Sequence, residues 1–175
     1  MDELELEALI ERNYARIVRA AMVLCGNCTD AEDLAQETFL QAMRAKERFA
    51  GKSLPETWLY SILLNVHRKH QRSLARRWKK IAAWIQQHAS SPPTNSLDSR
   101  EWRESLWAIV AELPQVQQDA IVLRYSEGLT YDEIATATGC PVGTVRSRLH
   151  HGLKTLRKRF EEKPQALGFL ETERS

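Results

Sequence analysis

The chain has no apolar run near the ~20 residues that a bilayer-spanning helix needs, and its first residues, Met1-Asp2-Glu3-Leu4-Glu5, are acidic. A secretory signal opens basic and then turns apolar, so the chain is expected to stay in the cytoplasm. Cysteine is scarce, at three residues. Cys25 and Cys28 form a C-x-x-C and Cys140 stands alone. A structural zinc site needs about four ligands, and no second ligand pair lies at suitable spacing. No metal and no cofactor is expected. Also missing are sustained strand alternation, internal repeats and low-complexity tracts. No nucleophile–base pair is apparent either, which argues against an enzyme and against a small-molecule substrate.

Acid is missing in two places. His67 to Lys80 carries seven Lys/Arg and no acid, and Ile134 to Phe160 carries six and none. The overall charge is only +2, with 27% charged and 43% hydrophobic residues, so the bases are concentrated rather than abundant. Two separated basic segments in a near-neutral globular chain point to two contacts with a polyanion.

Apolar residues recur at helical spacing almost throughout, which gives an all-α chain. A first stripe runs through Leu6, Ile10, Tyr14, Ile17, Val18, Ala21 and Leu24, and Gly26-Asn27 stops it. Thr29-x-x-Glu32 has the form of a capping box for a second helix with the stripe Leu34, Thr38, Phe39 and Ala42. Ser53-x-x-Glu56 with Pro55 opens a third, carrying Trp58, Leu59, Ile62, Leu63 and Val66 into the first basic segment. Trp78, Ile81, Ala82 and Ile85 extend it or form a further helix. The polar, proline-broken stretch that follows has no stripe. Two small helical domains are therefore expected, over residues 1–87 and 99–175, joined by a flexible linker at 88–98. About 11 extended residues span at most ~40 Å. Asp98-x-x-Glu101 caps the second module, followed by Trp102, Leu106, Ile109, Val110 and Leu113. Pro114 then begins a helix through Val116, Ala120, Ile121 and Leu123, which Glu127-Gly128 ends.

The sharpest local signal lies between Leu129 and Phe160. Thr130-x-x-Glu133 caps a short helix, Gly139 supplies a left-handed turn residue and Pro141 prevents continuation. A second helix then starts near Val142. Short helix, tight turn and longer basic helix make a helix-turn-helix. At 100° per residue, Val145, Leu149, Leu153, Leu156 and Phe160 fall on one side and are expected to be buried. Gly143, Thr144, Ser147, His151, Lys154 and Lys158 lie opposite, flanked by Arg146, Arg148, His150 and Arg157. Small residues allow close approach to a groove, and Arg can pair with guanine edges. An ordinary solvated face mixes Glu with Lys, and this one has no acid.

Taken together, the D-A-E-D-L-A-Q-E-T-F-L block from Asp30 to Leu40, the Arg48-Phe49 loop, Thr57-Trp58-Leu59-Tyr60, Leu113-Pro114, and Y-D-E-I-A…G-C-P-V-G-T-V-R-S-R-L resemble the extracytoplasmic-function sigma factors of bacterial RNA polymerase. The resemblance runs from about Leu9 to Arg159. It implies partners, namely core RNA polymerase, promoter DNA and an anti-sigma factor, often membrane-bound. By the same resemblance Asp33, Gln36 and Glu37 dock on the polymerase. Arg48, Phe49, Lys52, Trp58, Tyr60, Asn65, Arg68 and Lys69 meet the −10 element. Thr144, Arg146, Ser147, Arg148, His150, His151 and Lys154 meet the −35 element. The chain departs from the family pattern at Leu63-Leu64-Asn65, where Ala-Arg-Asn is common, and at His151-Gly152-Leu153, where Arg-Ala-Arg is. Two other readings compete: a stand-alone dimeric regulator, which would need a palindromic site, and a redox or metal sensor built on Cys25 and Cys28.

Overall fold

The computed structural model describes residues 1–88 and 106–162, with side chains for 1–76 and 109–162. These residues form α1 (Glu3–Cys25), α2 (Cys28–Ala45), a short 3-10 turn (Lys46–Arg48), α3 (Pro55–His88), α4 (Leu106–Ala111), α5 (Gln115–Ile121), a π-helical continuation of α5 (Val122–Ser126), α6 (Tyr131–Thr138) and α7 (Val142–Glu162). No strand occurs among the described residues. The all-α expectation holds.

Local chemistry sets the helix ends. Asp2 and Glu5 form a reciprocal capping box at the start of α1, and Gly26 closes it at φ 75°, a conformation that costs glycine nothing. The second helix starts two residues earlier than its expected box implies. Asn27, not Thr29, is the N-cap, accepting from the Asp30 amide at 2.8 Å. Asn and Thr can both cap, and the chain leaving Gly26 reaches extended geometry first at Asn27. Pro55 opens α3 as expected, and α3 continues without a break to His88. It therefore includes the positions of Trp78, Ile81, Ala82 and Ile85. The Asp98/Glu101 cap, Trp102 and nearly all of the 88–98 linker lie outside the described residues.

The first unit packs α1 on α2 and α2 on α3 around Leu9, Ile17, Leu34, Leu59, Leu63 and Leu64, each no more than 3% exposed. The core line of α1 is rotated from the expected stripe. It runs through Leu6, Leu9, Asn13, Ile17, Ala20 and Leu24, whereas Tyr14 is 56% exposed and stacks on Phe39. Asn13 is tolerated in that line because its Nδ2 donates to the Leu9 carbonyl. In the second unit α7 crosses α5 and α6. Leu123, Ile134 and Val145 are fully buried there.

The two units are docked on each other. The α3 helix packs on α6, and α1 on α4 and the π segment. Gln118 Nε2 donates to the Val23 and Leu24 carbonyls at the α1 end. A helix leaves its last carbonyls without intrahelical partners, so the second unit satisfies the end of a helix in the first.

Candidate nucleic-acid interface

The helix-turn-helix is built as the sequence implies. Thr130 and Glu133 cap α6 reciprocally, and Glu133's carboxyl is held below its ordinary range by those hydrogen bonds with Thr130. Gly139 turns the chain at φ 65°, ψ 36°, and α7 begins at Val142.

The buried edge of α7 is Val145, Leu149, Gly152 and Leu156. One expected member is displaced: Leu153 is 43% exposed, and Gly152 takes its place in the seam. The reason is the crossing with α5. A Cβ on Gly152 would stand 3.1 Å from Ile121 Cγ1. Close approach at Gly152 turns the next position outward. Phe160 is half-buried.

Arg146, Ser147, His150, His151 and Lys154 are exposed together, while Thr144 and Arg148 are half-buried. Two of the arginines are already oriented. Arg146 lies over the Tyr131 ring at 5.9 Å from its centroid, and Arg124 lies over the same ring at 5.2 Å. Arg148 Nη1 approaches Cys140 Sγ at 3.4 Å, and Thr138 Oγ1 is 3.2 Å from the same sulfur. Arg148 is thus tied to the turn of the motif more than to its open face. The rings of His150 and His151 meet edge-on at 5.6 Å.

In the first unit the eight expected −10 residues fall on three faces. Arg48 and Lys52 are exposed in the loop before α3, beside the half-buried pair Phe49 and Trp58, whose rings are 5.1 Å apart. Asn65 and Lys69 line a different place, a cleft of about 750 Å3 between α2 and α3 whose other wall carries Asp33, Gln36 and Glu37. Asp33 and Gln36 are exposed there, and Glu37 accepts from Gln41 Nε2 at 2.7 Å. The third face looks into the second unit. Tyr60 is only 1% exposed, with its hydroxyl donating to Glu127 Oε2, so in this arrangement it is covered by the second unit. Arg68 Nη2 pairs with Asp119 Oδ2 at 2.9 Å.

Sequence reasoning missed Asp119 and Glu127, yet a signal existed. Both continue the apolar stripe of Val116, Ala120 and Leu123 at spacings of three and four. An acid on a core stripe is rarely buried without a partner. Glu127 finds Arg16 at 3.4 Å, Arg19 at 3.6 Å, the Tyr60 hydroxyl and Ser126 Oγ at 2.7 Å. Burial pushes the Asp119 carboxyl up to about 6, although Arg68 and, more weakly, Arg148 draw it back. Burial likewise lowers His67 to about 4, with His70 and Arg68 adding to the effect.

Cys25, Cys28 and Cys140 are free thiols, and burial pushes Cys25 up to about 12. Among the described residues no group of three or more His, Cys, Asp or Glu is placed to hold a metal, and no helix is long and apolar enough to cross a membrane.

Two docked helical units, the second carrying a helix-turn-helix with an acid-free outer face, define a DNA-binding protein of transcription. The family model for sigma-70 region 2 matches residues 9–77, and that for sigma-70 region 4 matches residues 103–156. The RNA polymerase sigma-H factor of Pseudomonas aeruginosa is 30% identical, over 91% of this chain and 88% of its own length. The ECF RNA polymerase sigma-E factor of Escherichia coli K12 is 37% identical, over 69% of this chain and 68% of its own. The chain belongs to the extracytoplasmic-function sigma factors of bacterial RNA polymerase. These are transcription initiation factors that bind DNA and are not enzymes. Among solved structures, CnrH in complex with the cytosolic domain of CnrY shares the fold at a TM-score of 0.66 and 20% identity, covering 93% of this chain and 91% of that one. The sigma factor RpoE of Bartonella quintana, solved with the anti-sigma factor NepR, aligns at 0.65 and 20%, covering 91% and 98%.

Proposed function

We propose that this chain binds core RNA polymerase in the cytoplasm, opens the −10 region of its promoters, reads the −35 element and leaves after initiation. The observation that carries the −35 assignment is the outer face of α7. Arg146, Ser147, His150, His151 and Lys154 stand exposed on a helix-turn-helix whose first helix is capped at both ends, with no acid from Ile134 to Phe160. Thr144 and Arg148 serve the edges of that contact. The loop with Arg48, Phe49 and Lys52, backed by Trp58, is the −10 reader, because exposed bases beside aromatic rings suit melted DNA. Asp33, Gln36 and Glu37 dock on the polymerase, and Asn65 and Lys69, on the other wall of the same cleft, face the −10 DNA. Tyr60 and Arg68 become available only when the two units part.

The functional division follows the sequence: residues 1–87 for polymerase and −10, 88–98 as the connection, 99–175 for −35. An anti-sigma factor holds the chain inactive. One solved protein that shares its fold, the sigma factor RpoE, was captured with the anti-sigma factor NepR, and another, CnrH, with the cytosolic domain of CnrY. Run-off transcription is the test. Core polymerase with the chain should start from a cognate promoter where core polymerase alone does not. Equal transcripts from both would end the proposal.

A further inference from the structure

One surface of the first unit is built to hold anions. Along α1 and α3, Arg16, Arg19, Tyr60 and Arg68 all turn toward the second unit, and each meets a carboxylate there. Glu127 alone receives two guanidinium groups and a phenolic hydroxyl, while Arg16 also lies over the Tyr60 ring at 5.8 Å. Such a set suits any oxyanion of carboxylate or phosphate geometry. The two carboxylates have fully buried side chains, whereas Arg16 and Arg19 remain 40% and 56% exposed. The cations are thus reachable from solvent once the acids withdraw.

We propose that Glu127 and Asp119 act as internal stand-ins for DNA phosphates on the surface formed by Arg16, Arg19, Tyr60 and Arg68, so that the docked arrangement and promoter DNA exclude each other. The inference rests on the first unit being a DNA-binding module, and it adds Arg16 and Arg19 to that surface. Two boxes on one duplex cannot be met while the modules are packed together, because each must reach its own place along the helix. Opening therefore has to precede or accompany promoter binding, and phosphates replace the lost carboxylates. The polymerase cleft between α2 and α3 is open in the docked arrangement, so core polymerase can engage before the units part.

The lock is built for release. Asp119 satisfies only Oδ2, and Oδ1 is buried with no partner. Buried ion pairs repay little beyond the desolvation of their charges unless every lone pair is met. Glu127 is better satisfied and supplies the grip. On the second unit, Arg148 of the recognition helix acts electrostatically on Asp119, so withdrawal of Asp119 also changes the charge environment of the −35 reader.

The test uses the full chain carrying Glu127→Gln with Asp119→Asn, which removes two charges and keeps the shapes. A control carries Glu7→Gln with Glu11→Gln, two exposed acids of α1 that change the net charge equally. The probe is a fluorescent mixed-sequence single-stranded oligodeoxynucleotide of about 20 residues, long enough for several phosphate contacts. The interface variant should bind it at least about fivefold tighter than the control, the gain expected when a competing internal anion is removed. Amide exchange over residues 118–129 should rise in the variant, and also in the unaltered chain when the oligonucleotide is added. Equal affinity for the variant and its control overturns the proposal. So does unchanged exchange over 118–129 in the unaltered chain at saturating oligonucleotide, a measurement that holds even if the variant fails to fold. The sigma-factor reading is judged separately, by run-off transcription from the unaltered chain.

Discussion

Tyr60 Oη donates to Glu127 Oε2 at 2.5 Å across 67 residues of chain. The bond joins the third helix of the first unit to the loop that introduces the helix-turn-helix. Tyr60→Phe removes the donor but leaves Glu127 with Arg16, Arg19 and Ser126. Losing one hydrogen bond to a buried charged group should cost about 1–3 kcal/mol. Urea unfolding of the full chain should show a lower midpoint at unchanged slope. Tyr14→Phe, at an exposed ring, should stay within about 0.5 kcal/mol of the unaltered chain. Equal midpoints for the two variants would mean that the Tyr60 bond adds nothing.

The α2 surface makes a separate claim. Asp33 is exposed on one wall of the α2–α3 cleft, and Glu37 lies beside it, bonded to Gln41. Charge reversal at Asp33 or Glu37 should weaken binding to core polymerase and leave −35 duplex binding unchanged. Co-sedimentation with core polymerase, beside a duplex titration, measures both. Undiminished co-sedimentation of both variants would remove the docking assignment.

Much of this was legible in the sequence because the signals are local. Gly26, Gly139, Pro55 and the Thr130/Glu133 box act within a few residues, and each sits where expected. What escaped depends on partners far along the chain. Tyr60 reads, through the family resemblance, as a −10 contact ahead of the first basic segment, whereas in the fold it is 1% exposed and bonded to Glu127, 67 residues away. Leu153 reads as core at ideal helical angles, but the α5–α7 crossing at Gly152 and Ile121 turns it out. A stability comparison separates the two descriptions of α7. Leu149→Ala, in the seam, should cost about 2–5 kcal/mol. Leu153→Ala should cost well under half of that, because its side chain is already 43% exposed. Equal losses would restore Leu153 to the core.

Two buried groups should hide each other's pH dependence. Asp119 goes from 3.8 to about 6 on folding, so the folded chain holds that proton more tightly, and stability is lost as pH rises from about 4 to 6. His67 goes from 6.5 to about 4, so the unfolded chain takes that proton more readily, and stability is lost as pH falls from 6.5 toward 4. Each change is worth about 3 kcal/mol, with opposite sign over nearly the same window. From these two groups the unaltered chain should show little net slope between pH 4.5 and 6. Asp119→Asn should expose the histidine and make the chain progressively less stable on acidification. His67→Gln should do the reverse. Urea midpoints at half-unit pH steps measure this, and parallel curves for all three chains would refute it.

Reading and gripping can be separated along α7. Arg146 stands near the N-terminal end of the recognition helix, against Tyr131, whereas Lys158 lies more than three turns further on, 78% exposed and 3.9 Å from Glu162. The end of a recognition helix that meets base edges is the N-terminal one. The Tyr131 ring holds the Arg146 guanidinium in place, so less side-chain entropy is lost when it reaches a guanine. Arg146→Ala should therefore cost about 1–3 kcal/mol on the cognate −35 duplex and flatten discrimination at one base pair. Lys158→Ala should cost less, weaken all duplexes alike and reduce the salt slope by no more than about one unit. Tyr131→Leu should act like a mild Arg146→Ala, reducing the ratio between matched and mismatched duplexes while leaving the salt slope nearly unchanged, because no charge is lost. Anisotropy titrations at two salt concentrations, on matched and single-mismatch duplexes, distinguish these patterns. If Arg146→Ala weakens every duplex equally, Arg146 grips phosphate, and base reading passes to Ser147, His150 or His151.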